Sequence, residues 1–120
     1  MKKLILVTLT LVMIISLSME AVSAGWYGDV HTNGYAVGSQ FYGKAWGTKY
    51  LASYTGHGLV KVGDWNGSGI GSGVTKETTN SPYSGDAYFE IENTRTGSGA
   101  YCLSEVTGSD GRSYAQNTYH

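Results

Sequence analysis

Apolar and polar residues alternate most clearly at 87–92, where Ala87, Phe89 and Ile91 face one way and Tyr88, Glu90 and Glu92 the other. Such alternation predicts a half-buried strand with its apolar side turned inward. Residues 100–106 alternate as well, with Ala100, Cys102, Ser104 and Val106 set against Tyr101, Leu103 and Glu105. The segment 94–99 between them reads as a turn. Beyond them, Gly108-Ser109-Asp110-Gly111 carries the Asp-Gly pair of tight hairpins. Residues 113–119 can return as a last strand, so the C-terminal third predicts a three-stranded meander. Upstream, Leu59-Val60-Lys61-Val62 is a short strand ended by residues 63–67, and the Gly/Ser run 67–73 reads as a flexible loop.

A second pattern is aromatic. Tyr42, Trp46, Tyr50 and Tyr54 recur every four residues. On a helix they would form one drifting stripe, and on extended chain all four would share a face. Gly43 and Gly47 each cost a helix about 1 kcal/mol relative to Ala, while Tyr, Trp and Thr favour strands. The reading is strand, with the stripe either core or an exposed binding face. Glycine interrupts the chain too often for helices elsewhere. The long gap at 74–84 is Thr-rich and carries Pro82.

The N-terminus follows a different pattern. Met1-Lys2-Lys3 is a short positive region, residues 4–19 carry no charge, and Ala21-Val22-Ser23-Ala24 places small side chains where a signal peptidase reads. This predicts a signal peptide over 1–24, cleaved before Gly25, and a single secreted domain over 25–120. A membrane-spanning helix wants roughly 20 apolar residues. The run here is shorter and diluted by Thr8, Thr10, Ser16 and Ser18, so the mature form is not expected to span a membrane.

Composition narrows the functional classes. Removing Lys2, Lys3 and Glu20 from the eight basic and nine acidic residues leaves a net charge near −2. That is no electrostatic footprint for nucleic acid or an anionic membrane, both of which reward clustered Lys and Arg. The 18 Gly would suit a flexible chain, but 10 Tyr and 3 Trp, all after residue 24, argue for a folded one. Leu, Ile and Val are scarce there, so some aromatics must be core. Cys102 is the lone cysteine. It cannot form an intramolecular disulfide, and its apolar neighbours Ala100, Tyr101 and Leu103 favour a buried thiol over an intermolecular bridge. Asn66-Gly67-Ser68 is a formal glycosylation sequon, read here as chance within a turn.

Candidate chemistry is sparse. His31, His57 and His120, with Asp29 or Asp64, hold no recognised metal-ligand spacing. Nothing local pairs Cys102 with a histidine as a nucleophile. Glu90 and Glu92 share one face of one strand, which suits a solvated surface better than a glycosidase cleft. The expectation is therefore no catalytic residues, no metal and no cofactor. Tyr and Trp instead supply contact area at low entropic cost, and they stack on sugar rings. The candidate binding residues are Tyr42, Trp46, Tyr50, Tyr54, His57 and Trp65.

The stretch Tyr50-Leu51-Ala52-Ser53-Tyr54-Thr55-Gly56-His57 resembles the Tyr-Ser-x-Tyr-x-His stretch of the lactococcin 972 type of bacteriocin. The strands at 59–62 and 87–92 and the aromatic end at 114–119 follow in similar order, with 67–82 as an insertion. The resemblance implies a Gram-positive, disulfide-free antibacterial polypeptide acting on the envelope of related bacteria without an enzymatic step. The sequence as a whole predicts a small antiparallel all-β sandwich, Gly- and Tyr-rich, secreted behind a signal peptide. Its expected partner is an envelope component or glycan of target bacteria. The alternative is an extracellular glycan- or wall-binding module without killing activity. Association as a homodimer is compatible with either.

Overall fold

The computed structural model describes residues 19–25, 27–80, 86–108 and 111–120. It is built of eight strands: β1 (Met19–Gly25), β2 (Gly28–Val37), β3 (Gln40–Lys49), β4 (Thr55–Trp65), β5 (Ile70–Asn80), β6 (Ala87–Thr96), β7 (Gly99–Gly108) and β8 (Gly111–Tyr119). They form two antiparallel four-stranded sheets, ordered β1-β2-β3-β6 and β5-β4-β7-β8, here sheet A and sheet B. The fold is all-β and sandwich-like, as the alternation predicts, with no helix among the described residues. Accordingly, no helix there is long and apolar enough to cross a membrane.

The interior is filled by an unusual division of labour. Val30, Ala45, Val60, Val62, Ala100, Cys102, Val106 and Ala115 supply small buried side chains, while Tyr54, Phe89 and Tyr119 supply the volume. Glycines make room for those rings. A Cβ on Gly34 would sit 2.6 Å from the Tyr119 ring. One on Gly47 or Gly56 would meet Phe89 at 2.9 or 2.5 Å, and one on Gly108 would meet Tyr54 at 2.6 Å. Much of the glycine content is thus packing space rather than flexibility. A core poor in Leu and Ile reaches close packing by setting aromatic rings against glycines, between the sheets for Tyr119 with Gly34 and Phe89 with Gly56 and within sheet A for Phe89 with Gly47.

Several expectations are corrected. The C-terminal meander does not form, because β6 pairs with β3 in sheet A whereas β7 and β8 lie in sheet B. Two residues, Gly97 and Ser98, turn this corner. Gly97 N donates to Ser39 O (3.1 Å) and Ser98 N to Gly63 O (2.9 Å). A Cβ on Gly97 would lie 2.6 Å from Gly63 O, so the corner is tight enough to require glycine. Crossing there lets Phe89 and Ile91 of β6 face the interior across from β4 and β5, which a flat meander would prevent.

The loop expected at 67–73 is short. Asn66 N donates to Gly69 O, and Asn66 Oδ1 accepts from Ser68 N and Gly69 N. Gly67 there adopts a φ of 98°, the left-handed region that glycine enters at no steric cost. Strand β5 begins at Ile70, so most of the residues read as an insertion are an edge strand of sheet B. The short strand at 59–62 extends over all of β4, with a bulge at Asp64/Trp65. Residues 1–18 of the expected signal peptide lie outside the described residues, as does Pro82, whereas residues 19–25 form β1.

Candidate binding surface

Alternation decides which side chains leave the sandwich. In β2, Val30 and Thr32 are buried and Asp29, His31, Asn33 and Tyr35 point outward. Registration then aligns them with β3 and β6 in rows across sheet A. His31 lies opposite Trp46, which lies opposite Glu90; Asn33, Lys44 and Glu92 form the next row; Tyr35, Tyr42 and Thr94 the next. Directly opposed side chains are the natural contact unit of a sheet, and these rows are in contact. The His31 and Trp46 rings stack at 5.1 Å with a 9° interplanar angle, and Tyr35 and Tyr42 lie 4.8 Å apart.

Charge is woven through the same face. Lys44 Nζ lies 3.1 Å from Glu90, 3.8 Å from Glu92 and 5.0 Å from the centre of the Trp46 ring. His31 Nε2 is 3.0 Å from Asp29 Oδ2. The Tyr88 hydroxyl donates to Glu90 Oε2 at 2.8 Å. That bond, with Lys44, holds the Glu90 carboxyl below its ordinary range. Burial and then the charge of Glu92 push the Tyr42 hydroxyl up to about 12, and burial with the Glu90 hydrogen bond does the same for Tyr88. Both phenols therefore stay protonated donors at neutral pH. With Glu20, Asp29, Glu90 and Glu92 against Lys44, the face is acidic as well as aromatic.

The predicted residues divide among several places. Tyr42 and Trp46 sit on this outer face, four residues apart on one strand as expected. Tyr50 and Tyr54 do not join them, because β3 ends at Lys49 and the chain crosses to the other sheet. Tyr50 is exposed beside Tyr27, to whose carbonyl its backbone N donates (3.0 Å). Tyr54 is 2 % exposed and packs against Tyr27 and above Gly108. It is a core residue, so the stripe is not one face. His57 lies on the outer face of sheet B, and Trp65 closes the end of β4 with its ring stacked on His120 at 3.9 Å.

His57 anchors a different arrangement. Its Nε2 is 2.9 Å from Glu77 of β5 and its Nδ1 is 3.1 Å from Glu105 of β7, whose other oxygen accepts from Arg112 of β8 at 3.1 Å. One charged line thus crosses all four strands of sheet B. Burial works against protonation of His57, but hydrogen bonds to Glu77 and Glu105 outweigh it and raise its pKa above 6.5. Cys102 is wholly buried, with Sγ 3.6 Å from Asn33 O. Burial pushes its thiol up to about 12, and it faces inward while His57 faces outward, so the two cannot act as a pair. Among the described residues no group of three or more His, Cys, Asp or Glu is placed to hold a metal ion.

The surface residues missed from sequence are Asp29, His31, Tyr35, Lys44 and Tyr88, with Glu90 and Glu92 read only as solvated. The signal was present as the alternation of Asp29, His31, Asn33 and Tyr35 with the small set Gly28, Val30, Thr32 and Gly34. Those glycines obscured it. Comparison with known proteins yields no matching family model, and no curated protein or solved structure matches the chain significantly.

Proposed function

We propose that this is an exported module, freed of its signal peptide at Ala24–Gly25, that binds a glycan of the bacterial envelope through the outer face of sheet A. The observation that carries the reading is the aligned set Tyr35, Tyr42, Trp46 and His31 interleaved with Asp29, Lys44, Glu90 and Glu92. Aromatic groups offer apolar surface to the C–H faces of sugar rings. Carboxylates and an ammonium fixed beside them are acceptors and donors for hydroxyl groups, and ionised partners make the stronger hydrogen bonds. An open sheet face suits a polymer better than a small molecule, which is ordinarily enclosed on most sides.

The test is sedimentation of the exported protein with purified peptidoglycan. Retention is expected, and Trp46→Ala should weaken it about tenfold, equivalent to ~1.4 kcal/mol. Absence of retention, or retention indifferent to Trp46→Ala and Tyr42→Ala together, would refute the glycan reading. The antibacterial reading rests on the resemblance of residues 50–57. Growth inhibition of related Gram-positive strains by the same preparation would support it, and retention without inhibition leaves the wall-binding module.

A further inference from the structure

The two long sides of the sandwich are closed by side chains rather than by backbone ladders. On one side Asn93 of β6, itself buried, donates to Val74 O (2.8 Å) and Val60 O (3.3 Å), and Asn80 of β5 donates to Tyr88 O (3.1 Å). On the other side β8 reaches β1. Ser113 Oγ, in a residue only 2 % exposed, donates to Ser23 O at 3.5 Å. Asn117, with its carboxamide oxygen turned toward the donors, accepts from Ala21 N (2.9 Å), Thr32 Oγ1 (3.0 Å) and Tyr119 OH (3.1 Å). Ala21 packs against the core around Val30, Tyr54 and Ala115. Strand β1 thus occupies a slot between the edge of β2 and the side chains of β8.

That occupant is the segment in which the sequence pattern places signal-peptidase cleavage. Yet β2 is built as an interior strand, with Gly28, Val30, Thr32 and Gly34 all buried. The natural edge β5 is blunted by its opposite: Lys76 stands level with Val60 on the side facing sheet A, and the pairing with β4 is bulged at one end. Exposed edges carry such inward charges and bulges to discourage pairing with other chains, and β2 has no bulge and no charge among its inward positions. An edge left by removal of β1 would be a template for an added strand.

We propose that export empties this slot, and that in the mature protein it takes an extended peptide of Gly and L-Ala, the chemistry of cell-wall cross-bridges. The proposal rests on the cleavage and envelope readings above. Segment 19–25 itself shows what fits. Its inward positions, level with Thr32, Val30 and Gly28, are Ala21, Ser23 and Gly25, all small, while Glu20, Val22 and Ala24 point out. Backbone pairing supplies affinity in strand addition and the alternate side chains supply selectivity. Ser113 and Asn117 are the donor and acceptor that would hold the incoming backbone on its second side. Peptides of alternating chirality cannot keep one set of side chains in the slot, so the wall's stem peptides are excluded in favour of its bridges.

The test uses the full chain secreted from a Gram-positive host. Intact mass gives its N-terminus. Backbone amide spectra are then followed during titration with a synthetic peptide of the 19–25 sequence, with pentaglycine, and with a Gly/L-Ala pentapeptide. The expected result is a product starting at Gly25, with shifts confined to β2 and β8 on adding each peptide. Exchange of the amides in β2 should slow at least tenfold on binding. A 19–25 peptide with D-Ala in place of Ala21 should fail to bind, a control that requires no variant protein. A product starting at Gly25 that ignores all three peptides overturns the inference while leaving the cleavage reading intact. So does a concentration-dependent dimer joined along β2. A product retaining residues 19–25 overturns the cleavage reading itself.

Discussion

The outer faces of the two sheets are built by one rule and end with different chemistry. On sheet A, rows across β2, β3 and β6 set aromatic rings beside carboxylates, so each row carries both contact area and charge. On sheet B the corresponding positions place Leu59 opposite Leu103 at the centre, with the His57 line of charges to one side and Lys61 opposite Tyr101 on the other. There the charges answer one another across strands, Glu77 to His57 to Glu105 to Arg112, and little is left over for a partner. Sheet A keeps three carboxylates beyond the cleavage point, Asp29, Glu90 and Glu92, against Lys44 and His31. The difference shows that alternation alone decides what is exposed, while registration decides whether the exposed groups satisfy each other or remain available.

Both faces stand on the same interior, and breaking that interior should have the largest effect. Phe89 fills the space left by Gly47 and Gly56 on two different strands, so Phe89→Ala should cost ~3–5 kcal/mol. Denaturant unfolding would read this as a lower midpoint. A loss under about 1 kcal/mol would mean that Phe89 does not bridge the sheets. Gly34→Ala probes the reverse error, since its Cβ would meet the Tyr119 ring at 2.6 Å. Overpacking of this kind costs ~1–3 kcal/mol, and a neutral or stabilising result would show that Tyr119 can yield.

How much of this was legible in the chain follows from the same geometry. The strands at 87–92 and 100–106 could be read because their inward positions are apolar or small and their outward positions carry Glu or Tyr. Strand β2 escaped because Gly28, Val30, Thr32 and Gly34 form a weak apolar face, and their burial depends on rings from distant residues such as Tyr119. Strand β5 escaped for another reason: most of it is exposed on both sides, so no apolar alternation marks it. The assignment of β6 and β7 to different sheets could not be read locally at all, since Gly97-Ser98 looks like a hairpin connection. Of the site, Tyr42 and Trp46 were visible as aromatics at an even spacing. Their partners His31, Lys44, Glu90 and Glu92 became partners only through registration across β2, β3 and β6.

The charged line on sheet B gives a smaller and pH-dependent difference between the faces. The pKa of His57 is raised in the fold, so the stability it contributes is complete below the ordinary value of 6.5 and is lost as pH rises through the higher folded value. Its side chain is partly exposed, which holds the contribution to about 1 kcal/mol or less. Urea midpoints should therefore fall slightly between mildly acidic and mildly alkaline pH, and His57→Gln should flatten that slope. Hydrogen exchange should place the change in β5, the edge strand that Glu77 ties to β4. A slope unaltered in His57→Gln would assign the pH response to other groups.

The smallest expected effect is the most discriminating. Tyr114 is nearly half exposed on sheet B, with the Arg112 guanidinium 4.7 Å from its ring centre. By residue type alone it is as good a sugar-stacking group as Tyr42. It lies opposite Glu105, whose charge is already answered by Arg112 and faces His57. If recognition needs rings and unsatisfied charge in register, Tyr114→Ala should leave peptidoglycan retention unchanged within about twofold, while Trp46→Ala weakens it about tenfold. Equal losses from the two substitutions would mean that exposed aromatics bind the wall wherever they occur. The organisation of sheet A would then carry no specificity, and the distinction between the faces would reduce to composition.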